Sequence, residues 1–168
     1  MCLFFLSVTP QHLLAPLAPL SLDEGSLDLI QRGFERLLAG DFISATHILV
    51  PRIEDTLRQH LQATGVDTTD YVPFGDGTSR TDDATLGSLL HKKLPDGRSV
   101  RDYLGSDLWA HLDSVLNSQT GLNLRNDFAH GLARPGHCTP QVAGIAMSML
   151  YLLASVATRS GVRPGTSA

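Results

Sequence analysis

Residues 41–65, DFISATHILVPRIEDTLRQHLQATG, carry a long apolar periodicity from which the fold class can be argued. Asp41 is placed to cap a helix and Gly65 to end it. Pro51 lies inside the pattern and predicts a kink near His47, or two helices that meet at the proline. The apolar side chains recur at steps of three and four residues, as on one face of an α-helix, and are Phe42, Ala45, Ile48, Leu49, Ile53, Leu57 and Leu61.

A second amphipathic helix is predicted immediately before this one. Ser21 and Glu24 have the spacing of a capping box, with Ser26 or Asp28 as later capping residues, and Gly40 stands where a helix would end. Its apolar stripe consists of Leu27, Ile30, Phe34, Leu37 and Leu38.

The remainder of the chain also favours helices. Asp67–Asp83 is rich in Thr, Asp, Gly and Pro and predicts a loop or a short hairpin. Shorter helical patterns follow, and Thr139 with Pro140 predicts the start of the last helix. We find no convincing strand alternation, repeat or glycine-rich phosphate loop. The predicted fold is therefore all-α: a bundle of about four to five main helices with short connecting helices and a central loop.

Length and composition predict one domain. A chain of 168 residues with 42% hydrophobic residues can bury a core of its own. We expect an apolar, proline-containing lead-in at 1–22, of the kind that truncation of a longer protein leaves, a helical bundle at 23–159 and a flexible tail at 160–168. The apolar run Val142–Ala157 is shorter than the roughly 20 residues of a bilayer span, so no membrane span is expected.

Charge and cysteine content exclude several function classes. The net charge of −4 argues against binding of nucleic acid through bulk electrostatics, so any such contact must be local. Cys2 and Cys138 are too few for a disulfide framework and lack zinc-binding spacing, which predicts a cytoplasmic setting. No metal site, no cofactor and no DNA-specific motif are expected. A metal hydrolase would need paired carboxylates or an HExxH spacing, and neither is present.

The segment Leu124–Gly131, LRNDFAHG, has the residues best suited to chemistry. Asn126 and His130 are four residues apart and would project together from a helix, whereas Arg125 lies about 140° from His130 around an ideal helix. Imidazole exchanges protons near neutral pH and guanidinium holds phosphate through two hydrogen bonds. This set suits metal-free cleavage of RNA by attack of its own 2′-hydroxyl group.

An ordinary structural interpretation of the same segment stays open. Arg125 and Asp127 can be solvated, Asn126 can cap a turn, and His130 with Gly131 can simply end a helix. Short patterns of this kind are common by accident.

Four other residues are candidates for a substrate-binding surface. His47 and Glu54 are seven residues apart and are expected to flank Arg125, and Lys92 and Lys93 form the one basic cluster that can reach a nucleic-acid backbone. A packed histidine is the alternative for His47. Basic side chains in the same stretch alternate with acidic ones, a pattern that predicts a solvent-exposed helix face. They are Arg52, Arg58 and His60.

Arg125–Gly131, RNDFAHG, resembles the RNxxxHG signature of the domain-of-unknown-function family 4209. It is also similar to the R-x(4–6)-H motif of the higher-eukaryote and prokaryote nucleotide-binding (HEPN) helical superfamily. The segment Gly40–Glu54 resembles the first long helix of that family, so the resemblance covers about Asp28 to Ala157.

The resemblance implies a HEPN-like helical bundle, often a homodimer, in which the Arg and His of two copies line one cleft. Several superfamily members are metal-independent ribonucleases, and others only bind RNA, nucleotides or proteins. By this resemblance Arg125 would bind the phosphate, His130 would be the general base or acid, and Asn126 would orient the site. The leading hypothesis is thus an RNA-directed domain, a candidate endoribonuclease; the alternative is a non-catalytic module for interaction or dimerisation.

Overall fold

The computed structural model describes residues 8–75 and 77–161. In chain order its elements are α1 (Pro10–Leu14), α2 (Glu24–Leu38), α3 (Phe42–Ala63), β1 (Thr69–Pro73), β2 (Ser79–Asp83), α4 (Leu86–Leu89), α5 (Val100–Leu104), α6 (Ser106–Leu112), α7 (Leu124–Ala129) and α8 (Pro140–Ser160). The long helices α2, α3 and α8 form the bundle, and α6 continues through a π-helical turn to Asn117. The predicted all-α fold class is confirmed, and Asp67–Asp83 holds a hairpin.

Helix α3 lies at the centre of the bundle. It contacts α2, α7 and α8. Five residues of its predicted stripe are buried, with Leu49, Ile53 and Leu57 fully enclosed, whereas Phe42 and Ile48 are only partly buried. The helix continues through Pro51, so the prediction of two helices meeting there is wrong. Proline removes one backbone hydrogen bond, but packing on more than one side of α3 stabilises the helical path across that gap.

The start of α2 differs from its prediction for a tertiary reason. Asp23, not Ser21, is the capping residue: its carboxylate accepts a hydrogen bond from the Ser26 amide at 2.7 Å. Gln59 of α3 accepts a hydrogen bond from the Asp23 amide at 2.9 Å and donates one to the Asp23 carboxylate at 2.7 Å. A side chain from the neighbouring helix thus selects Asp23. By contrast, Asp41 and Thr139 cap α3 and α8 as predicted.

The described part of the predicted lead-in packs with the bundle. Residues 10–17 form α1 and a short 3-10 turn, and Leu17 and Leu20 are buried in the common core. Residues 1–7 of the lead-in lie outside the described residues, as does the predicted tail from 162 onward.

Helix α8 is long and apolar enough to cross a membrane by length and composition alone. It extends beyond the predicted run Val142–Ala157, and 44% of its most apolar 18-residue stretch is buried inside the protein. The core helix of a globular domain meets the same criterion. Its exposed residues include Ser148, Ser155 and Arg159, and the opposite side packs in the core.

His60 contradicts the prediction of a solvated face. Its ring is fully buried, stacks on Tyr103 and places Nε2 2.7 Å from the Tyr103 hydroxyl, which lies 2.9 Å from Ser160 Oγ. His60 Nδ1 has no partner among the described residues. A buried lone pair costs less than a buried N–H, which favours the tautomer in which Nε2–H donates to Tyr103. Burial lowers the pKa of His60.

We expect the free energy of unfolding to decrease as the pH falls through about 6.5, because the unfolded chain takes up the His60 proton more readily than the folded one. His60→Gln should flatten the profile between pH 7 and 5 while its amide still reaches Tyr103. Denaturant unfolding at each pH measures this. His111→Gln, at an exposed position, should keep the wild-type slope; an unchanged slope in His60→Gln would contradict the assignment.

At Gly33, α2 packs tightly against α3. A Cβ atom there would lie 2.5 Å from Cδ2 of the buried Leu49. We expect Gly33→Ala to reduce the free energy of unfolding by about 1–3 kcal/mol through overpacking. Gly144→Ala on α8 is the matched control, since its Cβ would meet nothing within 4 Å and alanine raises helix stability by up to about 1 kcal/mol. Urea unfolding of both variants measures the difference. Equal changes in the free energy of unfolding would contradict the tight contact between Gly33 of α2 and Leu49 of α3.

Candidate functional site

The site is presented by the short helix α7, which two apolar anchors hold against α3. Leu124 and Phe128 are buried in the core, four residues apart on one face of α7. Asn123 precedes the helix with a φ of 50°, in the left-handed region that asparagine tolerates better than most residues. This turn sets the direction of α7, so Arg125 and Asn126 emerge beside α3.

Arg125 is held by an acidic residue of α3. Its Nε donates to Glu54 Oε2 at 2.7 Å, and its Nη1 donates to Asn126 Oδ1 at 3.1 Å. The side chain of Arg125 is 28% exposed and that of Glu54 is 12% exposed. Within the described residues, no hydrogen bond is made by Arg125 Nη2. One edge of the guanidinium is therefore fixed, and N–H groups remain to bind an oxyanion.

Asn126 orients Arg125 and in turn is oriented by Asn123. The Asn126 amide nitrogen donates to Asn123 Oδ1 at 2.7 Å, which leaves its oxygen for Arg125. His130 caps the C-terminal end of α7, is exposed, and has no side-chain partner in the described chain. Arg125 and Asn126 are thus joined by a hydrogen bond, and the imidazole of His130 is joined to neither.

Glu54 also binds a second arginine, which the sequence placed on a solvated face. Arg58 Nη2 donates to Glu54 Oε1 at 3.0 Å, and Arg58 Nη1 donates to the carbonyl of Ala84, just after β2, at 2.7 Å. The Arg58 side chain is only 15% exposed. The four-residue spacing of Glu54 and Arg58 was the available signal for the ion pair, but nothing local indicated that the hairpin would cover it.

His47 lies beside α7, and its side chain contacts Phe128. Its ring contacts Phe128 edge-on, with centroids 4.8 Å apart, and Nδ1 donates to the carbonyl of Ile43 at 2.8 Å. Cys138 Sγ lies 4.0 Å from the same nitrogen. The contact with Phe128 agrees with the alternative of a packed histidine, although the ring is exposed.

Lys92 and Lys93 have different surroundings. Lys92 Nζ donates to the carbonyl of Thr69 at 2.5 Å and pairs with Asp70 at 2.9 Å, which ties β1 to the segment after α4. The hydrogen bond from Lys92 is the largest cause of the lowered pKa of Asp70. Lys93 is exposed. Among the described residues, no hydrogen bond or ion pair joins either lysine to α7.

No group of three or more metal-ligating side chains is found among residues 8–75 and 77–161. Two surface depressions, of about 550 Å³ between α1 and α2 and about 420 Å³ beside α6 and α8, are lined by neither Arg125 nor His130. The partly exposed guanidinium of Arg125 and the exposed imidazole of His130 therefore lie outside both depressions.

Comparisons of the chain with protein-family models, with curated proteins and with solved structures find no match. The resemblance to family 4209 and to the HEPN superfamily therefore stays a prediction that depends on the residues of α3 and α7.

Proposed function

We propose that the chain is an RNA-directed domain in which Arg125 binds a backbone phosphate and His130 takes part in metal-independent cleavage. The observation that carries the proposal is the state of Arg125: Glu54 and Asn126 hold one edge, and the rest of the guanidinium is available. A preorganised guanidinium loses less freedom on binding phosphate than a solvated one. The exposed imidazole on the same short helix adds a group that exchanges protons near neutral pH.

The proposed reaction is an internal transfer at phosphorus. The RNA 2′-oxygen forms a bond to phosphorus as its proton passes to the neutral His130 ring, and the bond from phosphorus to the 5′-oxygen breaks. That oxygen takes a proton from solvent, which yields a 2′,3′-cyclic phosphate and a free 5′-hydroxyl group. Arg125 stabilises the charge that develops on the phosphoryl oxygens.

A homodimer is the working unit in this proposal. The resemblance to HEPN proteins supports it, since the Arg and His of two copies line one cleft in that superfamily. Two copies of α7 facing each other would bring the arginine of one copy towards the histidine of the other. A cytoplasmic location belongs to the same proposal.

A non-catalytic interaction module is the second candidate. Leu122 and Leu132, on either side of α7, are 52% and 62% exposed, and Ile43 at the start of α3 is 60% exposed. Exposed apolar side chains beside α7 suit contact with a protein partner. In this case Arg125 would have a structural role, and RNA would be neither bound nor cleaved.

Cleavage of mixed single-stranded RNA in excess chelator tests the first candidate. We expect wild-type protein to produce cyclic-phosphate ends and His130→Ala to lower the rate by about 100-fold or more, the usual contribution of a general base. Arg125→Gln should weaken binding of a 2′-O-methyl oligouridine, which cannot be cleaved by this route, whereas His130→Ala should bind it nearly as well as wild type.

His111→Ala and Arg32→Ala are matched controls, since both residues are exposed and lie on other helices, α6 and α2. Circular dichroism establishes that each variant is folded. If folded wild-type protein neither binds nor cleaves RNA, the RNA-directed function is wrong and the interaction module is favoured.

A further inference from the structure

We infer that Arg58 is a positioning residue that keeps Arg125 available to a phosphate group by occupying the second oxygen of Glu54. The inference deepens the proposed function and rests on it where the phosphate belongs to RNA. Arg58 does not contact the ligand in this scheme; it acts through Glu54.

The three side chains form one charge cluster. Glu54 Oε2 accepts from Arg125 and Glu54 Oε1 accepts from Arg58, so a single carboxylate lies between two guanidinium groups. Two positive charges and one negative charge leave the cluster with a net charge of +1. This local excess arises in a chain whose net charge is −4. It gives an acidic protein a defined place for an anion.

The tertiary contacts of Arg58 hold the extra positive charge of the cluster in place. Arg58 lies on α3, one turn after Glu54, and its other nitrogen is held by the Ala84 carbonyl at the base of the hairpin. Without Arg58, the charge on Glu54 would be balanced by Arg125 alone. The pair would then be neutral, and a phosphate approaching Arg125 would meet a carboxylate that no other cation offsets.

The two nearest acidic residues along the chain pair with other side chains. Asp55, next to Glu54 on α3, pairs with Arg52 at 3.1 Å. Asp127, two residues after Arg125, lies 3.4 Å from Nδ1 of His137. Arg52 therefore offers a matched control: it lies on the same helix, it pairs with an acidic residue of that helix, and among the described residues no hydrogen bond or ion pair joins it to Glu54.

The test measures binding of two probes, inorganic phosphate and the 2′-O-methyl oligouridine. Phosphate binding is followed by the NMR signal of the Arg125 Nε–H group, and oligouridine binding by fluorescence anisotropy. We expect Arg58→Gln to weaken both about fivefold or more, as loss of a unit charge within a Debye length would. Arg58→Lys, which keeps the charge, and Arg52→Gln should stay within about twofold of wild type.

A double-mutant cycle separates charge from structure. Glu54→Gln added to Arg58→Gln restores the net charge of +1 and should recover wild-type affinity, which a purely structural role for Arg58 would not produce. Glu54→Gln alone retains an amide oxygen that accepts from Arg125 Nε, so it keeps the guanidinium held while it raises the cluster charge to +2, and it should strengthen binding. This variant keeps the inference testable if Arg58→Gln does not fold.

The outcomes distinguish the two proposals. Phosphate binding that depends on Arg58, without oligouridine binding, would support the inference and overturn the RNA-directed function. Oligouridine binding that requires Arg125 but is unchanged in both Arg58→Gln and Glu54→Gln would overturn the inference alone. If wild-type protein binds neither probe at Arg125, both proposals are wrong.

Discussion

Close packing of α3 against its neighbours is the constraint on which the rest of the structure depends. At Gly33 the backbone of α2 comes near enough to Leu49 that no larger residue fits without movement. The opposite parts of α3 contact α7 and α8. Because so much of its surface is covered, α3 retains helical geometry through Pro51, where a solvent-exposed helix would be expected to break.

The covered position of α3 also determines how its polar residues behave. Gln59 satisfies the start of α2, His60 is sealed against Tyr103, and Glu54 reaches Arg125. His60 is buried, and Gln59 and Glu54 are partly buried. Polar groups withdrawn from water are expensive unless they are paired, and each of these side chains has a partner from another element. Polar residues of one helix thereby join segments that are distant along the chain.

The proposed site depends on this arrangement more than on α7 itself. A six-residue helix has little stability of its own, and Leu124 and Phe128 hold it on α3. The guanidinium of Arg125 is then aligned by Glu54, and Arg58 offsets the charge of that carboxylate. The result is a local positive charge on an acidic protein, which suits a single phosphate contact better than a broad nucleic-acid surface.

The amino-acid sequence by itself determined the helical class, the buried stripe of α3 and the caps at Asp41 and Thr139, because each depends on residues within one or two turns. It also singled out Arg125, Asn126 and His130, but their spacing could not show that only the first two are joined. Tertiary structure alone decided that Asp23 caps α2, that His60 is buried and that Glu54 lies between Arg58 and Arg125. The bonds behind the first and last of these join residues 36 and 71 positions apart. Periodicity shows which face of a helix is apolar, whereas the partner of a polar side chain depends on which distant segment packs against it.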